Sequence, residues 1–258
     1  LVVGDPGFNS DEGRAYLFKG TPQGLSAEPL QELVPQDTNS RLFGWGVASA
    51  GDLNNDTAPD VVITAPGNQP GFLHAFYSGT VGGQPGLYGA TNVSATDFWQ
   101  HWNTSVSQTD PSYFGINSMF QDVSEPRPQA IRPSTVYDGD GFGWSVVGIG
   151  DFNADGFDDV AVSVPFGDYD IEVTQQETGY VLIYFGSDRG LQSIDTPSRS
   201  PECVSGATSS CAPYQVYLPN RVEFENTFLS GSAAGDINGD GLTDVLIGGE
   251  GRAHPSGL

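Results

Sequence analysis

The chain has 258 residues, 37% hydrophobic and 11% aromatic, enough for one large or two ordinary domains with a sizeable core. Its 32 acidic residues stand against 9 basic ones, a net charge of −23; this excludes the basic footprint of a nucleic-acid surface and suits a protein that meets cations or works outside the cell, although excess acid also serves solubility by itself. No apolar run approaches the roughly 18 residues of a membrane helix, and 35 glycines with 18 prolines, spread along the chain, predict many short strands and turns rather than long helices.

The chain opens inside a strand-like run, "LVVGDPG" (1–7), so the lack of a visible leader segment carries no information. An aromatic strand ending in glycine follows, "RAYLFKG" (14–20). Next come "FGWGVASAGD" (43–52), an acidic loop "GDLNNDTAPD" (51–60), the β-branched run "DVVITAP" (60–66) and a second aromatic strand, "LHAFYSG" (73–79). A polar stretch, about Thr80–Ser134, reads as an insertion and holds Trp99, His101, Trp102, Tyr113 and Phe114. Exposed, these aromatics would grip a sugar or a protein partner; otherwise they fold back onto the neighbouring strands. Asn92 and Asn103 head glycosylation sequons, meaningful only in a eukaryotic secretory setting. Asn55 heads a third, discounted because it lies inside the acidic loop.

The set then recurs as "FGWSVVGIGD" (142–151), "GDFNADGFDD" (150–159), "DVAVSVP" (159–165) and "YVLIYFG" (180–186). A second insertion, about Ser187–Asn220, carries Cys203 and Cys211. Eight positions apart in a Gly/Ser loop, they suit a small disulfide that would staple a segment with little core of its own; two free thiols in a reducing compartment is the alternative. The last copy reads "TFLSGSAAGD" (227–236), "GDINGDGLTD" (235–244) and "DVLIGGE" (244–250), and lacks the phenylalanine–glycine pair.

The three acidic loops share one pattern of oxygen-bearing residues. These are Asp52, Asn54, Asp56 and Asp60; Asp151, Asn153, Asp155 and Asp159; and Asp236, Asn238, Asp240 and Asp244. Counted from the first aspartate they occupy positions 1, 3, 5 and 9, and the backbone carbonyl at position 7 (Ala58, Phe157, Leu242) can supply a further oxygen. Hard cations that take many oxygens in a flexible cage want such a set, which favours calcium, in about three sites, over the more demanding magnesium. An EF-hand is excluded, since its bidentate glutamate at position 12 is replaced by Ile63, Val162 and Ile247. A dockerin-type module would continue into a helix, whereas short, β-branched, quickly punctuated runs follow here. Each loop is therefore predicted to join two strands of a hairpin, with the ninth-position aspartate at the mouth of the second. Thr57 replaces the glycine found at position 6 of the other two loops, which predicts strain in the first turn.

Taken together, these copies resemble FG-GAP repeats, the blades of the integrin α-chain β-propeller and its bacterial relatives. The resemblance covers two nearly complete copies and two partial ones. Its "GAP" element departs from type, reading "GDP" at Gly4–Pro6, "TAP" at Thr64–Pro66, "SVP" at Ser163–Pro165 and "GGE" at Gly248–Glu250. It implies an all-β fold, a β-propeller with calcium loops in the blade hairpins. About three to four blades are expected here, against about seven in a family ring, so that both ends look cut from a longer protein and the remaining blades lie outside the chain. The expected division is a partial blade at 1–42, a blade at 43–141 with an insertion at about 80–134, a blade at 142–226 with an insertion at about 187–220, and a partial blade at 227–258.

Catalytic signals are few. There is no nucleophile elbow, phosphate loop, zinc spacing or CxxC pair. His74 lies in an aromatic strand and reads as packing, His254 stands near the end, and only His101, between tryptophans, invites a catalytic reading. Trp45 and Trp144 stand at equal offsets before their loops and read as packing residues. The resemblance implies an extracellular or cell-surface propeller with structural calcium that binds a protein or glycan ligand, without inserting into the membrane. The rival expectations are a propeller module of an extracellular hydrolase or polysaccharide lyase, and a structural spacer.

Overall fold

The computed structural model describes residues 1–35, 40–67, 71–81, 84–87, 129–131, 139–167, 179–187, 190–191, 214–216 and 224–253. They form four consecutive antiparallel sheets. The first contains β1 (Val2–Asp5) and β2 (Arg14–Leu17), joined through one turn, α1 (Phe8–Asp11). A small ribbon of β3 (Gly20–Thr21) and β4 (Gly24–Leu25) leads to its outer strand, β5 (Gln31–Leu33). The second contains β6 (Val47–Gly51), β7 (Asp60–Ala65) and β8 (Phe72–Phe76); a ribbon of β9 (Ser78–Val81) and β10 (Gln84–Leu87) precedes its outer strand, β11 (Gln129–Ile131). The third runs β12 (Val146–Gly150), β13 (Asp159–Val164), β14 (Tyr180–Tyr184) and β15 (Tyr214–Val216) in simple order. The fourth pairs β16 (Phe224–Gly235) with β17 (Asp244–Ala253). Both long stretches read as insertions thus return to their sheets, at 129–131 and 214–216, to supply an outer strand.

These are blades stacked side by side, and the strand sequences follow from that stacking. A strand covered on one face alternates apolar and polar residues, but a blade strand is covered on both. All six residues of β13 are buried, and five of six in β7, which is why both read as unbroken β-branched runs. Three clusters fill the gaps between blades. Ala15, Leu33 and Phe43 pack with Ile63, Ala65 and Phe76 between the first and second. Val62, Leu73 and Ala75 meet Val160, Val162 and Leu182 between the second and third. Ile149, Ala161 and Ile183 take Val245 and Ile247 of the fourth.

The phenylalanine–glycine pair is a turn with an anchor. Trp45 N–H donates to Leu42 O and Trp144 N–H to Gly141 O, each at 3.1 Å. The glycine sits third in each turn with φ of +92° (Gly44) or +86° (Gly143), a conformation that a side chain resists. The phenylalanines, Phe43 and Phe142, are fully buried; Phe43 meets His74 and Phe76 edge-on at 5.0 and 6.0 Å between ring centres. His74 is accordingly a core residue, bonded to Ser40 Oγ at 2.9 Å, and burial pulls its imidazole down to about 3. The departures from "GAP" also have a use: the hydroxyls of Thr64 and Ser163 accept the N–H groups of Gly46 and Ser145, at 3.0 and 2.8 Å, tying β7 and β13 to the entry of the preceding strand.

Inner strands crowd one another where blades converge, and β12 packs against both β6 and β16. Gly148 marks the closest approach: a Cβ there would strike Ser49 O and lie 2.9 Å from Ala50 Cα. Its φ is not among the positive ones, so the demand for glycine is purely one of space. Gly148→Ala is therefore expected to lower stability by about 1–3 kcal/mol through overpacking. Gly20→Ala, where a Cβ meets nothing within 4 Å, is expected to leave it nearly unchanged. The denaturant midpoints of the two variants check both.

Candidate metal centres

Each acidic loop closes a hairpin, β6–β7, β12–β13 or β16–β17. The last residue before position 1 is a left-handed glycine: Gly51, Gly150 and Gly235 have φ of +73°, +71° and +71°. Each pairs with the ninth-position aspartate across a bulge, which turns the chain out of the ladder and into the loop. Within the loop, positions 4 and 6 are left-handed as well. The third loop meets this with Gly239 and Gly241, the second with Ala154 and Gly156, and the first with Asn55 (φ +57°) and Thr57 (φ +74°). A β-branched residue at such a φ is the strained choice.

The internal bonding recurs loop by loop. The first aspartate is the hub. Oδ1 of Asp52, Asp151 and Asp236 accepts the N–H of position 5 at 2.9, 3.0 and 3.0 Å. Its Oδ2 accepts that of position 6, from Thr57, Gly156 and Gly241, at 2.7, 2.9 and 2.8 Å. The amide of Asn54, Asn153 and Asn238 donates to the fifth-position carboxylate at 3.0, 2.9 and 3.1 Å. That carboxylate (Asp56, Asp155, Asp240) in turn accepts the N–H of Ala58, Phe157 and Leu242 at 2.8, 3.0 and 2.9 Å. Oδ2 of Asp60, Asp159 and Asp244 reaches back to the N–H of position 2, at 3.0, 2.8 and 2.7 Å.

In the second and third blades the ninth-position carboxylate has a second task. Oδ1 of Asp60 accepts the Ser78 N–H at 2.8 Å, and that of Asp159 accepts the Gly186 N–H at 2.9 Å, just past the aromatic strand. Asp60 and Asp159 are fully buried. Burial pushes their carboxyls up to about 7 and about 8, the loop's other aspartates add to the rise, and the backbone donors oppose it. Among the described residues, no cationic side chain pairs with either.

Among the described residues, no three His, Cys, Asp or Glu side chains are gathered into a metal-ready group. In these loops the carboxylates turn to backbone N–H groups instead. Each bonded oxygen still retains acceptor capacity, since an ionised carboxylate offers about four lone-pair positions. The sets contain oxygen donors only, with no imidazole or thiolate, so they match hard cations and not zinc.

The structure brings every loop residue named from the sequence into its expected loop. It places Trp45 and Trp144 against each other, ring centres 5.1 Å apart, with Trp45 Nε1–H donating to Trp144 O at 3.1 Å; both also keep exposed surface. Sequence reasoning missed Asp158, at position 8 of the second loop, whose Oδ2 accepts the Asp52 N–H at 2.7 Å. Position 8 is Pro59, Asp158 and Thr243 in turn, so no repeated letter marked it. Cys203, Cys211, His101, His254, Asn92, Asn103 and the aromatics Trp99, Trp102, Tyr113 and Phe114 lie outside the described residues.

The chain's likeness to known proteins agrees with this geometry. The FG-GAP repeat family matches at residues 43–82, 142–184 and 228–254, ranges that contain the three hairpins with their loops. Integrin alpha-PS5 of Drosophila melanogaster is 34% identical over 99% of this chain and 26% of its own length. Integrin alpha-8 of Mus musculus is 25% identical over 98% of this chain and 25% of its own. Phosphatidylinositol-glycan-specific phospholipase D of Bos taurus is 40% identical over 31% of this chain and 10% of its own. The chain thus spans about a quarter of the length of the integrin α chains it matches. Three hairpins with one loop geometry, stacked as blades and matched by that family, make this a chain of FG-GAP repeats folded as β-propeller blades, with integrin α chains among its relatives.

Proposed function

We propose that the chain is a calcium-binding arc of an extracellular β-propeller that serves recognition or adhesion, with the metal in a structural role. The observation that carries this is the threefold recurrence of one oxygen-rich loop with a shared set of internal hydrogen bonds, around carboxylates that no cationic side chain among the described residues pairs with. In each loop the metal would be held by positions 1, 3, 5 and 9 and the carbonyl of position 7. Once bound, the ion supplies positive charge and coordination, no reaction chemistry. The chain's own part is to hold the donors: the glycine bulge sets the loop's angle, and the ninth-position carboxylate anchors it to the strands behind.

Exposed apolar faces support further blades at both ends. Leu1 and Val3 are 62% and 41% exposed, whereas Ile63, the repeat equivalent of Val3, is fully buried against the preceding blade. Leu246 is 64% exposed, whereas its equivalents Val62 and Ala161 are buried against the following one. The ligand class we propose is a protein or glycan, and the setting the cell surface, by likeness to the integrin α chains. No helix among the described residues is long and apolar enough to cross a membrane. A second reading, a module within a larger extracellular hydrolase, is favoured by the 40% identity to a phospholipase D over 31% of the chain. Binding to glycan and protein arrays without turnover supports the first reading; turnover abolished by changing His101 but not Asp155 supports the second.

Two outcomes test the metal. Calcium at a hundred times its Kd is expected to stabilise the fold by about 2.7 kcal/mol per occupied loop. Magnesium is expected to do far less, and Asp155→Ala with Asp240→Ala to remove most of the gain. Thermal unfolding with calcium, magnesium or chelator measures this, and an unchanged midpoint in a folded chain would overturn the metal reading.

The second outcome concerns pH. Asp60 and Asp159 hold their protons more tightly folded than unfolded, at about 7 and about 8 against an ordinary 3.8. Their favourable term is complete below pH 3.8 and is lost as pH rises through 7 to 8. In chelator, stability should therefore fall over that window. Calcium, which favours the ionised form, should flatten or reverse the slope, as urea titrations at stepped pH would show.

A further inference from the structure

Asp158 stands between two ligand positions of the second loop, the Phe157 carbonyl and the Asp159 carboxylate, yet its own bonds go to the first loop. Its Oδ2 accepts the Asp52 N–H at 2.7 Å, and its N–H donates to Asp52 O at 3.0 Å. One residue of the third blade thus grips both backbone groups of the residue that serves as hub of the second blade's loop. Gly51 makes room for it: a Cβ at Gly51 would lie 2.6 Å from the Asp158 Cγ. A neighbouring bond reinforces the clasp, Ser187 N–H to Leu53 O at 3.0 Å. Gly186 is as tightly placed, since a Cβ there would meet Leu53 O at 2.7 Å.

From this we infer that Asp158 is a positioning residue that couples the two loops, so that a cation in the second strengthens binding in the first. The inference rests on the cation-binding reading of the loops. A cation in the second loop immobilises Phe157 and Asp159, and with them the residue between. Asp158 then holds Asp52 in place, and Asp52 in turn holds the N–H groups of Asp56 and Thr57. The first loop is the one that needs outside support, because Thr57 occupies a left-handed position that the other two fill with glycine. By linkage the coupling is mutual: a cation in the first loop strengthens the second by the same factor. The clasp is particular to this pair of loops, since at the equivalent place in the third blade Thr243 lies against Gly150 with a hydroxyl in place of the carboxylate.

The test is calcium titration calorimetry on the whole protein, with the third loop silenced by Asp240→Ala. Silencing the second loop with Asp155→Ala is expected to weaken the first by at least about fivefold, the low end of allosteric couplings. Asp158→Ala is expected to produce the same weakening with the second loop still binding, and Asp158→Asn, which keeps an acceptor oxygen, to restore the coupling. A merely structural role for Asp158 would weaken both loops alike and would leave Asn no better than Ala. If Asp158→Ala fails to fold by circular dichroism, Asp56→Ala reads the same linkage in reverse, as a fivefold loss at the second loop. First-loop affinity that ignores both Asp155→Ala and Asp158→Ala, in a protein that binds calcium, overturns the coupling alone. A folded protein that binds no calcium overturns the loop reading and the coupling with it.

Discussion

The fold turns on a carboxylate that the core has taken in. Asp60 and Asp159 are fully buried, and each ties three pieces of its blade together: the loop through the N–H of position 2, its own strand, and the chain leaving the aromatic strand. Burying an ionisable group without a counter-charge is costly. Two backbone donors offset part of that cost, and the rest appears as carboxyls pushed far above their ordinary range. The acid-rich loop in front is thus the visible half of a strained arrangement, and the hairpin, its bulge and its glycine all serve to present it.

Around that anchor the blades stack by removing side chains as much as by adding them. Gly44, Gly51 and Gly148 each stand where an atom of a neighbouring blade or strand occupies the place of a Cβ. The buried phenylalanines, Phe43 and Phe142, fill the space between strands of successive blades. Polar clasps cross the same boundaries. The Gln31 amide bonds the backbone of Leu87 with both its ends, at 2.7 and 3.3 Å, and the buried Tyr77 hydroxyl accepts the Leu191 N–H at 2.9 Å. Each joins backbone groups that a bare sheet face would leave open.

Much of this was legible in the residues. The β-branched runs from Asp60, Asp159 and Asp244 are strands, and each begins at its aspartate. They could be read because their physics is local: period, turn chemistry and ligand spacing are properties of consecutive residues. The outer strands, Gln129–Ile131 and Tyr214–Val216, were hidden within stretches read as insertions. Each is three residues long, without a pattern of its own, and is a strand only because a neighbouring strand offers it an edge.

By itself, the sequence determined the repeat, the hairpins that carry the acidic loops and the spacing of the oxygen-bearing residues within them. Only the tertiary structure decided which residue of one loop touches the next, that Asp158 belongs to the Asp52 loop as much as to its own, and how far Asp60 and Asp159 sink from water. Those outcomes depend on where separate blades come to rest against each other. Asp52 and Asp158 stand more than a hundred positions apart, and no periodicity along a chain encodes a contact that arises only when two sheets meet.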